Sequence, residues 1–246
     1  IPSFYDVTYN EDNTVQEVVS NRENIPSKPH KRIIKDVENV PYPEKLIVPF
    51  IDTVHNRVVL ELFRGCTRGC RFCQAGMIYR PIREKSVERL KEIVDKLVKS
   101  TGYDEISLSS LSTSDYSKLS ELTDYLVDEY ASNNIGISLP SLRLDNFSME
   151  IAEKIQQVRK SGLTFAPEAV TQRMREGINK GVSEQDLKDA TKKAFEMGWN
   201  SVKLYFMIGL PTETYDDLDG IAKLAYDVID MYREVHNGKL KRSFGV

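Results

Sequence analysis

Short apolar runs alternate with amphipathic segments along most of the chain, starting at Val58. The runs have the length of strands, and the segments between them repeat apolar residues at helical spacing. This alternation is typical of an α/β fold in which helices cover a parallel sheet. Five strands are predicted: VVLEL (58–62), EISLSS (105–110), IGISLPSL (135–142), LTFAPEA (163–169) and SVKLYFMIGL (201–210).

Polar capping residues and glycines predict where the intervening helices begin and end. Gly102, Gly162 and Gly198 each follow a helical pattern and are expected to terminate it. The last apolar run is almost continuously apolar, which predicts a strand buried on both faces. The predicted N-terminal caps are Ser86, Ser183 with Asp186 as a capping box, and Thr214 with Asp217.

The first 57 residues have a different pattern, with little helical periodicity and several prolines. The segment FYDVTYNEDNTVQEVV has two alternating runs on either side of a polar NEDN turn, which predicts a hairpin. The stretch from about Ser20 to Val48 is expected to be a linker. We therefore predict an N-terminal hairpin and linker at 1–57 and a main α/β domain at 58–246.

Composition narrows the possible functions only slightly. The chain has 246 residues, of which 40% are hydrophobic and 29% charged, so it can bury one sizeable core. Its formal net charge of -3 provides no overall basic field for nucleic acid. It has no apolar stretch of ~18 residues and no signal-peptide pattern, so we expect a cytoplasmic protein without a membrane partner.

The chain's three cysteines, Cys66, Cys70 and Cys73, lie in one CxxxCxxC stretch directly after the first predicted strand. Three thiolates on a short loop can face a single metal centre, and no fourth cysteine completes the coordination. A 4Fe–4S cluster with one open iron is the simplest interpretation. A structural zinc site, a disulfide and a closed electron-transfer cluster are weaker alternatives, because each needs a ligand or an environment that the sequence does not indicate.

The cysteine spacing, with Phe72 before the last cysteine, resembles the signature of the radical S-adenosylmethionine (SAM) superfamily. The resemblance implies a partial, open parallel βα barrel of six units, whose sixth strand would lie beyond Val246 or be lacking. It also implies that SAM binds the open iron and is cleaved reductively to a 5'-deoxyadenosyl radical. An electron donor such as flavodoxin or ferredoxin would then be a partner.

Polar residues follow the second and third predicted strands, at the sheet edge where parallel barrels place their chemistry. Ser109 and Ser110 stand where many superfamily members carry a Gly-Gly-Glu that binds SAM; capping of the next helix is the alternative. Arg143 suits the SAM carboxylate or an anionic substrate, because its guanidinium matches carboxylate geometry. An ion pair with Asp145 would also explain it.

The fourth and fifth strands end in motifs that resemble those of radical SAM methylthiotransferases. In PEAVTQR, Glu168 stands where those relatives have a glutamine, and Arg173 matches their arginine. The two residues are the predicted ribose and carboxylate contacts, and an ion pair between them is the alternative. Val170 replaces a glycine of those relatives, and Asn179-Lys180-Gly181 matches a later tripeptide. In MIGLPTET, Gly209 permits a close turn near the ligand and Glu213 is expected to cap the next helix.

The sequence RGCTRGCRFCQAGMIYRP also resembles that of an uncharacterised bacterial group of radical SAM proteins with an upstream cobalamin-binding-like domain. Cobalamin would therefore be possible only through a domain outside this chain. The sequence singles out no catalytic hydrogen donor. Five arginines near the cysteines either draw in an anionic substrate or shield the cluster and pair with acids: Arg64, Arg68, Arg71, Arg80 and Arg83.

Two classes of function follow. The first is a radical SAM enzyme, with RNA or protein modification as a possible activity. The second is a non-catalytic iron–sulfur or zinc module that binds a partner.

Overall fold

A computed structural model describes residues 2–28, 30–140, 143, 149–156, 158 and 162–240. The chain divides into two compact units, Ile1–Lys35 and Asp36–Val246, each described separately. This division concerns compactness, so the domain boundary at residue 57 stays a prediction. No helix within these ranges is long and apolar enough to cross a lipid bilayer.

The first unit contains the predicted hairpin. Strands β1 (Tyr5–Tyr9) and β2 (Val15–Ser20) pair antiparallel, with a register shift between Thr8 and Tyr9. The turn between them is closed by Asp12, whose Oδ1 accepts from the Thr14 amide at 3.0 Å. The polar turn and the alternating runs are thus sufficient to specify this element locally.

The second unit holds the five parallel strands that the pattern predicts. In the described part of this unit they form two sheets rather than a closed barrel. The first sheet has the order β3-β6-β7 and the second pairs β8 with β9. Their bounds are Val58–Glu61 (β3), Glu105–Ser109 (β6), Gly136–Ser138 (β7), Leu163–Glu168 (β8) and Val202–Phe206 (β9).

A short antiparallel pair not predicted from the sequence follows β3. It joins β4 (Phe63–Arg64) to β5 (Arg83–Glu84), with Phe63 opposite Glu84 and Arg64 opposite Arg83. The pair brings together the two ends of residues 65–82, which contain all three cysteines. Strands of two residues carry no periodicity, so the sequence had no signal for them.

Seven α-helices occur in the described ranges, and three of them begin at a predicted cap. Ser86 caps the second helix by accepting from the Arg89 amide, and Gly102 ends it in the left-handed conformation. Ser183 and Asp186 form the predicted capping box. The bounds are Ala75–Ile78 (α1), Val87–Thr101 (α2), Leu119–Tyr130 (α3), Met149–Gln156 (α4), Gln172–Gly177 (α5), Glu184–Glu196 (α6) and Tyr215–Val235 (α7).

Two large buried clusters form most of the core, one beside each sheet, and a third, smaller cluster includes Met174. The first includes Leu60, Leu108 and Leu122 and packs α2 and α3 against β3 and β6. The second includes Phe165 and Phe195 and packs α6 and α7 against β8 and β9. The apolar periodicity predicts these inward faces correctly.

The burial predicted for β9 was wrong. The strand is buried on one face only, since Val202 is buried while Lys203 and Tyr205 are exposed, Tyr205 to 48%. Among the described residues β9 pairs only with β8 and lies at the edge of its sheet. The apolar sequence continues to Leu210, but the strand ends at Phe206.

Candidate functional site

The three cysteines lie between β4 and α1. We call residues 65–82, which connect β4 to β5 and include α1, the cysteine loop. Within it, the Cys66 amide donates to the Tyr79 carbonyl and the Cys73 amide donates to the Cys70 carbonyl, both at 3.0 Å. All three thiols are free and partly exposed. The sequence therefore places three unpaired thiols in a single, internally bonded loop.

The donor chemistry of this loop fits an iron–sulfur cluster, because thiolates are the usual protein ligands of such clusters. The three cysteine side chains do not converge on one point, however. No group of three or more His, Cys, Asp or Glu side chains in the described ranges is arranged to bind a metal ion. The loop therefore has three thiols of the right chemistry, but their positions do not form a metal site.

Residues 177–181, which start at the last residue of α5, are bonded to the cysteine loop. The Arg71 amide donates to the Ile178 carbonyl, and the Asn179 side-chain amide donates to the Gly69 carbonyl, both at 2.9 Å. The Arg71 guanidinium donates to the Gly177 carbonyl. We call residues 177–181 the brace segment.

Charged groups meet beside Cys70. The Arg143 guanidinium lies 4.0 Å from the Cys70 sulfur and also donates to the Lys180 carbonyl at 2.8 Å. The Lys180 ammonium pairs with Glu168 at 3.2 Å, and their side chains are only 10% and 18% exposed. The same ammonium lies 5.8 Å from the centre of the Phe72 ring. A chain of contacts thus links Cys70 to Arg143, Lys180 and Glu168, with Phe72 beside the Lys180 ammonium.

Glu168 owes its position to an unusual end of β8. Its φ is +66°, in the left-handed region, and the β8–β9 register shifts between Phe165 and Glu168. The Met207 amide donates to the Glu168 carbonyl at 2.8 Å, which fixes this bend against the end of β9. A non-glycine residue in this conformation is uncommon and costs of order 1 kcal/mol.

Arg173 lies with a different set of partners. Its guanidinium forms an ion pair with Asp217 and donates to the Thr212 carbonyl at 3.2 Å. The alternative of an ion pair between Glu168 and Arg173 was wrong, because Lys180 takes the place of Arg173. The predicted ion pair of Arg143 with Asp145 involves a residue outside the described ranges.

Asp217 is the acceptor at the centre of the Arg173 contacts. It accepts from the Thr171 hydroxyl at 2.5 Å and from the Thr214 amide at 2.9 Å. Hydrogen bonds from Thr171 and Thr214 lower the pKa of Asp217 to about 2. Asp217 therefore caps α7, as predicted, and in addition connects α7 to the start of α5.

The two predicted serines have local structural contacts. The Ser109 carbonyl accepts from the Leu62 amide at 3.0 Å. The Ser110 hydroxyl lies 3.1 Å from that of Thr113 and accepts from the Ser112 amide at 3.3 Å. Ser110 thus stabilises the short turn after β6. The alternative that the serines cap the next helix was wrong, because Lys118 occupies the N-cap position of α3.

Gly209 lies in the turn after β9, with a φ of +88°. Its amide donates to the Glu213 carboxylate at 2.6 Å. The prediction that Glu213 caps α7 was therefore wrong, because Glu213 closes the preceding turn and Asp217 caps the helix. A Cβ on Gly209 would meet no atom within 4 Å, so its conformation rather than its size explains the glycine.

The arginines near the cysteines have protein partners. Two pair with acids, Arg64 with Glu61 at 2.8 Å and Arg68 with Asp115. Three donate to backbone carbonyls, namely Arg71 to Gly177, Arg80 to Gly76 and Arg83 to Pro81. These contacts match the alternative in which the arginines are structural and pair with nearby groups.

Sequence reasoning assigned no role to Lys180 or Asn179, although it noted their tripeptide. The sequence did contain a signal, namely an Asn and a Gly two positions apart. In the structure both are left-handed, with φ of +54° at Asn179 and +62° at Gly181. Asn and Gly are the residues that adopt this conformation most readily.

Comparison with known proteins identifies the family of this chain. The family model described as "Radical SAM superfamily" matches residues 60–225, more than half of the chain. An uncharacterized protein of Methanocaldococcus jannaschii is 36% identical over 72% of this chain and 38% of its own length. A putative methylthiotransferase of the same organism is 30% identical over 65% of this chain and 37% of its own length. The chain thus spans less than half of these relatives.

A solved structure shares the fold. The radical SAM methyltransferase TsrM from Kitasatospora setae, with cobalamin and a 4Fe–4S cluster bound, superimposes with a TM-score of 0.58 at 12% identity. The match covers 70% of this chain and 34% of TsrM. These findings confirm the predicted open α/β fold, and the predicted cofactors, a 4Fe–4S cluster and SAM, are those of the matched family. The chain belongs to the radical SAM superfamily.

Proposed function

We propose that this chain is the cofactor-binding core of a radical SAM enzyme, with Cys66, Cys70 and Cys73 as the ligands of the cluster. SAM would lie between the cysteine loop and the ends of β7 and β8. When bound, the cluster and SAM together supply a 5'-deoxyadenosyl radical that abstracts hydrogen from a substrate.

One observation carries the proposal: Arg143 lies beside Cys70 and donates to the Lys180 carbonyl, and the Lys180 ammonium pairs with Glu168. A carboxylate and two cations around a thiolate loop can hold a zwitterionic ligand such as SAM. Arg143 suits the SAM carboxylate, because its planar guanidinium can bind both oxygens. Glu168 can accept hydrogen bonds from ribose hydroxyls, and Phe72 can pack beside the ligand.

The remaining predicted contacts are weaker. Arg173 already pairs with Asp217, so its charge is largely compensated, and this favours Arg143 for the SAM carboxylate. Ser110 uses its hydroxyl in the turn after β6, and Ser109 uses its carbonyl in a hydrogen bond to Leu62. Gly209 contributes a close turn. These four residues are proposed to line the site rather than to bind SAM by charge.

A group-transfer reaction is the proposed activity. The name of one relative, putative methylthiotransferase, and that of TsrM, a methyltransferase, support this class. Cobalamin would take part only through a domain outside this chain. A flavodoxin or ferredoxin is the proposed electron donor, RNA or protein the proposed substrate, and the cytoplasm the proposed location.

The test is anaerobic reconstitution with iron and sulfide, followed by reduction in the presence of SAM. The wild-type chain should bind one 4Fe–4S cluster, measured as about four irons per chain, and should convert SAM to 5'-deoxyadenosine. Cys70→Ala should lose the cluster, because the remaining two thiols cannot hold it. Thr67→Ala is a matched control, since Thr67 is exposed in the same loop and should leave the iron content unchanged.

The possible failures have different meanings. Unchanged iron in Cys70→Ala would show that the ligand assignment is wrong. A full cluster without any 5'-deoxyadenosine would contradict the enzyme and favour the non-catalytic iron–sulfur module.

A further inference from the structure

We propose that Asn179 is a positioning residue that holds the backbone of the cysteine loop at the Gly69 carbonyl, next to Cys70. The inference rests on the proposed function in one respect, that this loop binds the cluster. Asn179 would touch neither the cluster nor SAM. It would act through the Gly69 peptide group, which adjoins Cys70, while the neighbouring Ile178 carbonyl accepts from the Arg71 amide on the other side.

The hydrogen bonds between the loop and the brace segment carry the inference. The Asn179 side-chain amide donates to the Gly69 carbonyl at 2.9 Å, just before Cys70. The Arg71 amide donates to the Ile178 carbonyl at 2.9 Å, just after it. These bonds join residues more than 100 positions apart, and both hold the peptide groups that flank one ligand.

The brace segment is itself fixed, so it can hold the loop without first becoming ordered. The Asn179 backbone amide donates to the Glu176 carbonyl at 3.0 Å, and the Lys180 backbone amide donates to the Arg175 carbonyl at 2.9 Å. Arg175 is buried and donates to the Ala169 carbonyl at 3.1 Å. A continuous set of contacts therefore runs from the end of β8, through α5, to the cysteine loop.

The same segment reaches the proposed SAM site. Lys180 follows Asn179 directly; its ammonium pairs with Glu168 and its carbonyl accepts from Arg143. Displacing the brace segment would therefore disturb the loop and the charged groups together. Asn179 is the residue whose side chain makes the connection to the loop, while its backbone, at a φ of +54°, defines the turn.

A merely structural role for Asn179 would alter global stability but not the loop in particular. The chain's three cysteines allow the two roles to be separated, because all of its thiols lie in this loop. Labelling of the metal-free protein with a thiol reagent thus reports on the loop alone. This readout requires neither cluster nor activity.

The experiment compares Asn179→Gly and Asn179→Asp with the wild type. Glycine keeps the left-handed backbone and removes the amide donor; aspartate keeps the size and replaces the donor by an acceptor. Asn134→Gly is the matched control, because Asn134 is exposed and has a φ of +57° in a turn after α3. Thiol labelling should accelerate about fivefold in both Asn179 variants, the factor that one ordinary hydrogen bond contributes, and stay unchanged in the control.

After reconstitution, both Asn179 variants should lose iron to a chelator faster than the wild type, with an altered electron paramagnetic resonance spectrum. Labelling rates equal to that of the wild type would overturn the inference, and so would equal acceleration by Asn134→Gly. If the wild type binds no cluster while the Asn179 variants still label faster, the proposed function fails and the positioning role stands.

Discussion

Gly65 determines how the chain enters the cysteine loop. Its φ is +109°, and a Cβ at this position would lie 2.6 Å from the Pro81 carbonyl oxygen and 2.7 Å from that of Tyr79. Both atoms belong to the returning side of the loop, which the β4–β5 pair holds close. Only glycine satisfies the conformation and the space together.

Gly65→Ala should therefore destabilise the protein strongly. We expect a loss of about 2–4 kcal/mol in the free energy of unfolding, because a clash with backbone is added to an unfavourable φ. Gly102→Ala is the matched control: its φ is +69°, but nothing lies within 4 Å of the added Cβ. That variant should lose only about 1 kcal/mol.

Urea denaturation of the metal-free chain measures both values. Equal losses in the two variants would contradict the close approach at Gly65.

At the scale of elements, the start of α7 is connected to the start of α5. Asp217 accepts from Thr171, which caps α5, and from Thr214, which precedes α7. Arg173 on α5 adds an ion pair to the same carboxylate. One side chain thus fixes two helices at the ends of β8 and β9, beside the proposed cofactor site.

Asp217 should make stability depend on pH in the acid range. Its pKa is lowered from the ordinary value of 3.8 to about 2, so folding favours the ionised form. The resulting stabilisation is present above about pH 4 and is lost as the pH falls through about 2. Asp217→Asn should therefore be less stable than the wild type at neutral pH, and the difference should shrink between pH 4 and pH 2.

Urea midpoints across that pH range test this expectation. Asp216→Asn, which removes the same charge from the same helical turn without these hydrogen bonds, serves as the control. A difference between Asp217→Asn and the wild type that persists at pH 2 would contradict the role of the ionised carboxylate.

At the scale of the molecule, the chain after Lys35 forms one compact unit that includes part of the predicted linker. Val37 is 3% exposed, and Glu38 accepts from the Ser86 amide at 2.8 Å, at the start of α2. The Tyr42 hydroxyl donates to the Val59 carbonyl at 2.7 Å. Residues 36–46 therefore cover the first core and the edge of β3.

Truncation tests where the main unit begins. A chain starting at Asp36 should unfold cooperatively, whereas a chain starting at Val58 should lose at least about 2 kcal/mol of stability. The reason is that the second truncation exposes buried apolar surface and removes hydrogen bonds. Thermal and urea unfolding of the two truncated chains, compared with each other, give the answer; equal stabilities would support the predicted boundary at residue 57.

Local patterns were sufficient to predict many elements. The five parallel strands, the hairpin and the capping box of Ser183 with Asp186 follow from short-range periodicity and side-chain hydrogen bonds within a few residues. The spacing of Cys66, Cys70 and Cys73 likewise depends on one short stretch, and it predicted the superfamily. Helix α5 was missed because six residues contain too little periodicity.

The contents of the site were decided by tertiary structure. Lys180 rather than Arg173 pairs with Glu168, and Asn179 meets Gly69, because α5 and the brace segment pack against a loop more than 100 residues away. The one-sided burial of β9 has the same origin, since it depends on which strands are neighbours. The sequence by itself determined the longer elements and the spacing of the three thiols. Only the packing of distant segments decided which charged groups lie near those thiols, because such contacts leave no periodic or local signal in the chain.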